Sequence, residues 1–288
     1  MSSLLIFGYG YTARFFVQSV QSDFTDIDGT TRRPPVQQQG VVRLLRFDGS
    51  DVDPDLHKVV LAADAILVSV PPDEHGDPVL DSFSDLLREN KKLRWLGYLS
   101  TVGVYGDHCG GWVDEKTPLD PRNERSKRRV QAEQAWLDLG QEAQLPVHLF
   151  RLSGIYGPGQ NALVNLKQGT AKRIIKQGQV FNRIHVADIA RILRASWQKP
   201  QPLSIYNVSD DEPSPPQEIV EYAAQKMGVP LPAAIAFEHA TLSPMAMRFY
   251  AENKRVSNAL IKQALGVTLF YPTYREGLDA LYAAGDGR

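Results

Sequence analysis

The fold is decided by one stretch near the start of the chain, Leu4-Leu5-Ile6-Phe7-Gly8-Tyr9-Gly10-Tyr11-Thr12-Ala13. Its first four residues are typical of a buried strand, and apolar residues recur at helical spacing from Ala13 to Val20. Between strand and helix, Gly8 permits a tight turn, Gly10 lets backbone N–H groups approach a pyrophosphate, and Ala13 allows close packing. The N-terminus of the helix stabilises the anion. The pattern predicts a dinucleotide-binding turn, although glycines between a strand and a helix also serve as simple turn residues.

Apolar runs and helical patterns alternate along the rest of the chain, which implies βαβ crossovers and a parallel sheet. Prolines then punctuate short elements after residue 200, where the character of the chain changes. The sequence therefore predicts an α/β fold: a doubly wound parallel sheet with a smaller C-terminal lobe. The further predicted strands are 26–31, 41–47, 65–70, 95–100, 147–152 and 203–208, and the further helices 79–87, 124–139, 217–227 and 255–265.

The tip of the second predicted strand indicates which dinucleotide binds. A carboxylate there would bind the ribose 2′-hydroxyl of NAD, but the sequence has Thr31-Arg32-Arg33. A guanidinium can grip a 2′-phosphate through two hydrogen bonds, so we expect NADP(H) in preference to NAD(H), with Arg32 the stronger candidate. The alternative is a solvated basic turn. The other expected cofactor contacts are Tyr11, Asp48 (near the adenine, or else a turn residue at a strand end), Ser69 and Pro71.

Composition excludes several classes of function. The 288 residues are 43% hydrophobic and carry a net charge of −1, which gives no general attraction to nucleic acid or acidic membranes. The single cysteine, Cys109, excludes an intrachain disulfide and a CxxC-type zinc site, and it fits a reducing cytosol. The longest apolar run, 59–70, is interrupted by Asp64 and is shorter than the roughly 18 residues that a membrane span needs. We therefore expect a cytoplasmic protein with no metal, nucleic-acid or membrane partner.

Several later motifs together resemble one family. Leu99-Ser-Thr-Val-Gly-Val-Tyr-Gly106 resembles the "SSxxVYG" strand end of extended short-chain dehydrogenase/reductases, the NAD(P)-dependent epimerase/dehydratase-like branch. The resemblance implies a Rossmann domain over residues 1–157, to which 183–209 return, and a substrate-binding lobe formed by 158–182 and 210–288. The other similar motifs are Asp114-Glu115-x-x-Pro118-Leu119-x-Pro121, Arg151-Leu-Ser-Gly-Ile-Tyr156-Gly157-Pro158-Gly159, Arg183-Ile-His185-Val-Ala-Asp188 and Ile205-Tyr206-Asn207-Val208.

The resemblance fails at the expected catalytic helix. In that family a Ser or Thr acts with a Tyr and a Lys spaced as YxxxK, and Thr101 matches the Ser/Thr position. Counting from Pro121 puts Arg125 in place of the tyrosine and Arg129 in place of the lysine. A shifted register, Asn123-x-x-x-Lys127, keeps the lysine, but neither register supplies a tyrosine.

This departure changes the chemistry expected of the helix. Arginine keeps its proton at physiological pH and cannot act as the base, but it can donate hydrogen bonds to a carbonyl or a developing oxyanion. Arg125 and Arg129 lie one helical turn apart and face the same way, which suits an anionic substrate. The alternative is a solvated helix in which Arg129 pairs with Glu133 and Arg128 with Glu124. Other candidates for proton transfer are Tyr105, Tyr156, His108 and His185.

Two functions follow as hypotheses. The first is an NADP(H)-dependent oxidoreductase or nucleotide-sugar epimerase-like enzyme acting on a carbonyl or hydroxyl of an anionic small molecule, with Thr101, Arg125 and Arg129 at the reacting centre. The second is a non-catalytic NADP(H) sensor that has lost proton transfer. The resemblance also allows a homodimer, because members of the family often pair through two helices.

Overall fold

A computed structural model describes residues 2–33 and 38–288 of the chain. The strands are β1 Ser3–Phe7, β2 Asp26–Thr31, β3 Gln38–Gln39, β4 Val42–Arg46, β5 Ala65–Val68, β6 Trp95–Thr101, β7 Trp112–Val113, β8 Val147–Leu152, β9 Gly154–Tyr156, β10 Arg173–Ile175, β11 Arg183–His185, β12 Ser204–Val208, β13 Ala234–Ala236 and β14 Arg255–Val256. The α-helices are α1 Tyr11–Val20, α2 Leu56–Ala62, α3 Pro78–Glu89, α4 Glu124–Ala143, α5 Ala162–Lys167, α6 Val186–Gln198, α7 Pro216–Met227, α8 Pro244–Tyr250, α9 Ala259–Leu265 and α10 Tyr274–Ala283.

The main sheet has the strand order β12-β8-β6-β5-β1-β2-β4-β3. Its neighbouring strands pair in parallel, except that the two-residue β3 runs antiparallel to β4. The chain proceeds outward from β1 in both directions, so the strand order reverses between β1 and β5. Ligands of such sheets bind outside the carboxyl ends of the strands at this reversal. The predicted doubly wound parallel sheet is confirmed.

Helices cover both faces of the sheet. Successive side chains of a strand point to opposite faces, so Leu4 and Ile6 join the core beneath α1 and α6, while Leu5 and Phe7 join the core beneath α2, α3 and α4. Both faces are buried, which explains why the strand is apolar without alternation. The sheet therefore holds the turn after β1 rigidly.

The C-terminal helices have a small core of their own. Leu163 of α5, Ala223 of α7 and Leu278 of α10 pack together with Tyr156 and Tyr274. The division of the chain into two units, with the bounds assigned from the sequence, stays a prediction. None of the helices in the described ranges is both long and apolar enough to cross a membrane.

One predicted element is wrong. Residues 255–265 were expected to form one helix, but Arg255–Val256 is strand β14 and only Ala259–Leu265 is helical. The N–H of Val256 donates to Asn182 Oδ1 (2.8 Å), and the strand pairs with β7. Partners distant in sequence therefore fix an extended backbone where local propensity favours a helix.

Candidate functional site

The turn after β1 is fastened to the neighbouring strands. Gly8 has φ +86°, a conformation that side chains disfavour, and its N–H donates to Thr30 Oγ1 (2.8 Å) at the tip of β2. The next N–H, of Tyr9, donates to the carbonyl of Thr30 (2.9 Å). On the other side, a Cβ on Gly8 would lie 3.1 Å from Val70 Cγ2. The turn thus sits between the carboxyl ends of β2 and β5.

This turn fits a diphosphate. Gly10 is the N-cap of α1, and among the described residues no side chain caps the helix there. The first N–H groups of a helix have no partner within the helix, so those of α1 can bind an anion. A Cβ on Gly10 would meet no atom nearer than Gly8 O at 4.0 Å, so the space above the turn is open. Ala13 is fully buried and lets α1 pack closely on the sheet.

Arg32 and Arg33 directly follow the end of β2. Both side chains are exposed directly beyond the strand, and the N–H of Arg33 donates to Thr31 Oγ1 (3.2 Å). The two guanidiniums therefore put positive charge in solvent beside the dinucleotide turn. Their contact with a 2′-phosphate stays a prediction.

Asp48 has the geometry of a turn residue. Its Oδ1 accepts from the N–H groups of Asp51 (2.8 Å) and Ser50 (3.0 Å), and its Oδ2 lies 3.3 Å from Arg46. The hydrogen bonds from Asp51 and Ser50 hold the pKa of the Asp48 carboxyl well below its usual range. The geometry matches the turn alternative given by the sequence, and an adenine contact stays a prediction.

The other expected cofactor residues lie around the same turn. Ser69 N–H donates to Phe7 O (2.8 Å), directly beyond the end of β5, and Pro71 is exposed nearby. The Tyr11 hydroxyl donates to Pro158 O (3.0 Å). Burial raises the pKa of Tyr11 to about 12. Tyr11 can therefore offer a cofactor its backbone N–H, while its side chain ties α1 to the turn after β9.

Thr101 ends β6 at the same carboxyl edge of the sheet. Its Oγ1 accepts from the N–H of Gly103 (3.1 Å), which starts a 3₁₀ turn over Val102–Tyr105 that Gly106 ends. A Cβ on Gly103 would lie 3.4 Å from Thr101 Oγ1 and 3.1 Å from Ser126 Oγ of α4. The structure therefore brings Thr101 beside the first turn of α4.

Arg125 and Arg129 occupy different environments. Arg125 is exposed in the first turn of α4. Arg129 is buried, and its Nη1 donates to Leu99 O (2.8 Å) and to Tyr98 Oη (2.9 Å) of β6. Arg129 therefore lies on the side of α4 that packs on β6, whereas Arg125 is open to solvent. The expectation that both arginines present their charge to one cleft face is not met, because these contacts turn the Arg129 guanidinium toward the sheet.

Neither ion pair of the solvated-helix alternative forms. Glu133 is buried and pairs with Arg151 of β8 (2.7 Å), and Glu124 pairs with Lys127 (2.7 Å). Glu133 also accepts from Ser100 Oγ (2.5 Å), next to Thr101. Sequence reasoning missed this buried pair, although an arginine inside the apolar run 147–152 signalled a hidden partner.

The alternative proton donors are mostly engaged in the fold. Tyr105 is fully buried, accepts from Arg151 (2.9 Å) and donates to Asn207 Oδ1 (2.7 Å). His185 caps α6 by accepting from Ala187 N–H (3.1 Å), and burial lowers its pKa to about 4.

Two further donors remain from that set. The Tyr156 hydroxyl is buried and donates to Thr273 O (3.4 Å). His108 is only half-buried, with Nε2 3.0 Å from Tyr105 O. The described part of the chain holds no group of three His, Cys, Asp or Glu residues placed to bind a metal ion.

Part of the chain is similar in sequence to known proteins. Residues 82–209 match the model of the NAD dependent epimerase/dehydratase family. Human dTDP-D-glucose 4,6-dehydratase is 28% identical over 142 residues, which cover 46% of this chain and 39% of that protein. The match thus spans about two fifths of the length of that relative.

Solved structures extend the similarity to almost the whole chain. A conserved protein of unknown function from Silicibacter pomeroyi DSS is 47% identical with a TM-score of 0.90, covering 99% of this chain and 100% of that one. A dTDP-glucose 4,6-dehydratase from Bacillus anthracis in complex with NAD has a TM-score of 0.79 at 18% identity, covering 99% and 98%. The second likeness concerns the fold alone. The family resemblance predicted from the motifs is confirmed.

Proposed function

We propose that this chain, of which residues 82–209 match the model of the NAD dependent epimerase/dehydratase family, is an NADP(H)-dependent oxidoreductase or epimerase-like enzyme. Its substrate is an anionic small molecule, of the nucleotide-sugar type, that reacts at a carbonyl or hydroxyl. One observation carries the proposal: the open cradle at Gly8 and Gly10 lies at the carboxyl edge of the sheet, and Thr101 ends a strand two places away in the same sheet. A cytoplasmic location and a homodimer belong to the same proposal.

The cofactor phosphate distinguishes NADP(H) from NAD(H). Arg32 follows the strand tip that in NAD-binding proteins carries a carboxylate. Its guanidinium is always charged and would bind a 2′-phosphate through two parallel hydrogen bonds. The diphosphate would lie on the N–H groups of α1, and Ser69 and Pro71 would border the nicotinamide side. When bound, the nicotinamide ring gives or takes a hydride.

Thr101 and Arg125 would orient the substrate. The Thr101 oxygen already accepts from Gly103 N–H, so its own proton is available to donate to the reacting oxygen. Arg125 is exposed at the start of α4 and would anchor the anionic group. Arg129 would act through Arg125 and Thr101 by holding α4 on β6. A water molecule or the half-buried His108 would relay the proton.

A specific observation favours a second function. The helix that should carry a tyrosine has none, and Arg129 in the lysine position donates to the sheet. A protein that binds NADP(H) without turning over a substrate, and so reports cofactor level, needs neither group. We hold this sensor as the alternative.

Calorimetry tests the cofactor assignment. We expect Arg32→Ala to weaken NADPH binding by about tenfold or more, since it removes a charge-assisted contact of roughly 1.5–3 kcal/mol, and to leave NADH binding unchanged. Arg248→Ala, which removes an exposed arginine of α8, is the control. Equal weakening of both cofactors by Arg32→Ala would refute the 2′-phosphate assignment.

Turnover separates the enzyme from the sensor. Purified protein with NADPH or NADP⁺ is tested against sugar nucleotides, keto acids and aldehydes; nicotinamide absorbance reports net reduction or oxidation, and NMR of the substrate reports epimerisation, which leaves the cofactor unchanged overall. We expect conversion of at least one substrate, and its loss in Thr101→Ala but not in Thr170→Ala, a surface threonine beyond α5. Tight NADPH binding without turnover across the panel would support the sensor instead.

A further inference from the structure

Lys254, which lies between α8 and β14, reaches into the turn that Thr101 starts. The residue is only 5% exposed, and its Nζ donates to Gly106 O (2.5 Å) and to Glu252 Oε2 (2.7 Å). Gly106 ends the 3₁₀ turn that begins at Thr101. The Lys254 ammonium, from the C-terminal part of the chain, is therefore hydrogen-bonded directly to the turn that begins at Thr101.

The partner of Lys254 contacts the helix that carries Arg125. Glu252 Oε1 accepts from Asn123 Nδ2 (3.2 Å), and Asn123 is the N-cap of α4, accepting from Ser126 N–H (3.0 Å). The two carboxylate oxygens of Glu252 therefore bridge Lys254 and the start of α4. One ion pair touches both elements that carry the proposed substrate contacts.

The energetics of such a pair indicate what it does. Lysine is almost never buried unless it is paired, and removing two charges from water offsets much of their attraction, so a buried pair adds little to stability. The backbone of the segment is also anchored without it. Asn253 N–H donates to Asp107 Oδ1 (2.8 Å), and Asn182 Nδ2 donates to Lys254 O (2.9 Å). The main contribution of the pair is therefore to hold Gly106 and Asn123, the two residues that it contacts, in one position relative to each other.

We propose that Lys254 and Glu252 are positioning residues, which hold the Thr101 turn and the first turn of α4 in one orientation relative to each other. The ammonium fixes the end of the turn at Gly106, and the carboxylate fixes the N-cap at Asn123. The inference rests on the proposed function for what Thr101 and Arg125 act upon. It adds that the C-terminal segment completes a site whose helix lacks the usual tyrosine.

The test compares the wild type with the uncharged double variant Glu252→Gln/Lys254→Met, with Lys254→Arg and with a control. The control, Lys226→Met/Asp279→Asn, removes a lysine–carboxylate pair (2.9 Å) that joins α7 to α10 in the same lobe. Hydrogen exchange is measured for residues 102–106 and 124–128, NADPH affinity by calorimetry, and kcat and KM for any substrate found.

We expect the double variant to exchange about tenfold faster at residues 102–106 and 124–128, where local opening is no longer opposed, with exchange in β1 and α1 and the NADPH affinity unchanged. Its kcat should fall by about tenfold or more, because a small misplacement of positioning groups slows the reaction, with KM changing less. Lys254→Arg, which keeps the positive charge, should retain wild-type exchange protection and kcat. The control Lys226→Met/Asp279→Asn should also resemble the wild type.

Two results would overturn the proposal: wild-type exchange in both segments of the double variant, or faster exchange throughout the molecule, which marks a general structural role. Should the double variant fail to fold, Asn123→Ser is used instead, because it keeps an N-cap side chain and the buried Lys254–Glu252 pair but removes the amide that donates to Glu252. Exchange is then expected to rise at residues 124–128 only, and unchanged exchange there would refute the idea. A wild type that binds NADPH but turns over nothing counts against the enzyme, whereas the exchange data still decide the role of the pair.

Discussion

Gly8 has a backbone conformation that residues with a side chain rarely adopt, and it lies in a crowded position. Its φ is +86°, and a Cβ would lie 3.1 Å from Val70 Cγ2 and 3.3 Å from Val70 N. Gly8→Ala should lower the free energy of unfolding by about 1–2 kcal/mol and, by displacing one N–H from the diphosphate, weaken NADPH binding about tenfold. Gly178→Ala is the matched control, because φ there is +73° and no atom lies within 4 Å of the added Cβ. Urea denaturation and calorimetry measure the two effects. Equal NADPH affinity in both variants would contradict the phosphate cradle.

At the scale of the element, two of the arginines of α4, Arg125 and Arg129, have different roles. Arg129→Met removes hydrogen bonds to Leu99 O and Tyr98 Oη and leaves these buried acceptors without that donor, so the free energy of unfolding should fall by about 2–3 kcal/mol. Arg125→Met changes an exposed side chain and should alter stability by less than about 0.5 kcal/mol, while raising KM for an anionic substrate. Chemical denaturation and steady-state kinetics check the pair. If the two variants are equally stable, Arg129 does not hold α4 to the sheet.

For the whole molecule, two buried histidines make stability depend on pH. Burial lowers the pKa of His148 and of His185 from 6.5 to about 4, so the unfolded chain binds more protons than the folded one between these values. The free energy of unfolding should therefore fall as pH is lowered from about 6.5 to 4, by up to about 3 kcal/mol for His148 alone. His148→Gln, which keeps an acceptor for Gln201 N–H, should reduce this fall.

Buried carboxyl groups also make the free energy of unfolding depend on pH, so the histidine effect must be measured as a difference between a variant and the wild type. Burial raises the pKa of Asp188 and of Asp210, so these groups stabilise the folded state as pH falls and oppose the histidines. Subtracting the wild-type pH profile from that of His148→Gln removes their contribution. His75→Gln, at a side chain 82% exposed, should leave the profile unchanged. A His148→Gln profile parallel to the wild type would show that His148 is protonated equally in both states.

The sequence by itself determined the parallel sheet and the glycine turn after β1, and it predicts a catalytic helix without the tyrosine. Each depends on residues close together along the chain: the apolar strands, the spacing of Gly8, Gly10 and Ala13, and the letters of the predicted catalytic helix. Strand 26–31 and strand 147–152 have the predicted bounds for this reason. The helix expected over 255–265 failed because its first residues pair with a strand far away in sequence.

Only the tertiary structure decided where the charged side chains point. Helical spacing puts Arg125 and Arg129 on one side of α4, but whether a guanidinium meets solvent or the Leu99 carbonyl depends on how the helix crosses β6. The Lys254 ammonium bonds a carbonyl 148 positions earlier, which no local pattern encodes. The physical reason is that a buried charge is governed by the partners that satisfy it, and chain folding alone brings those partners within hydrogen-bonding distance.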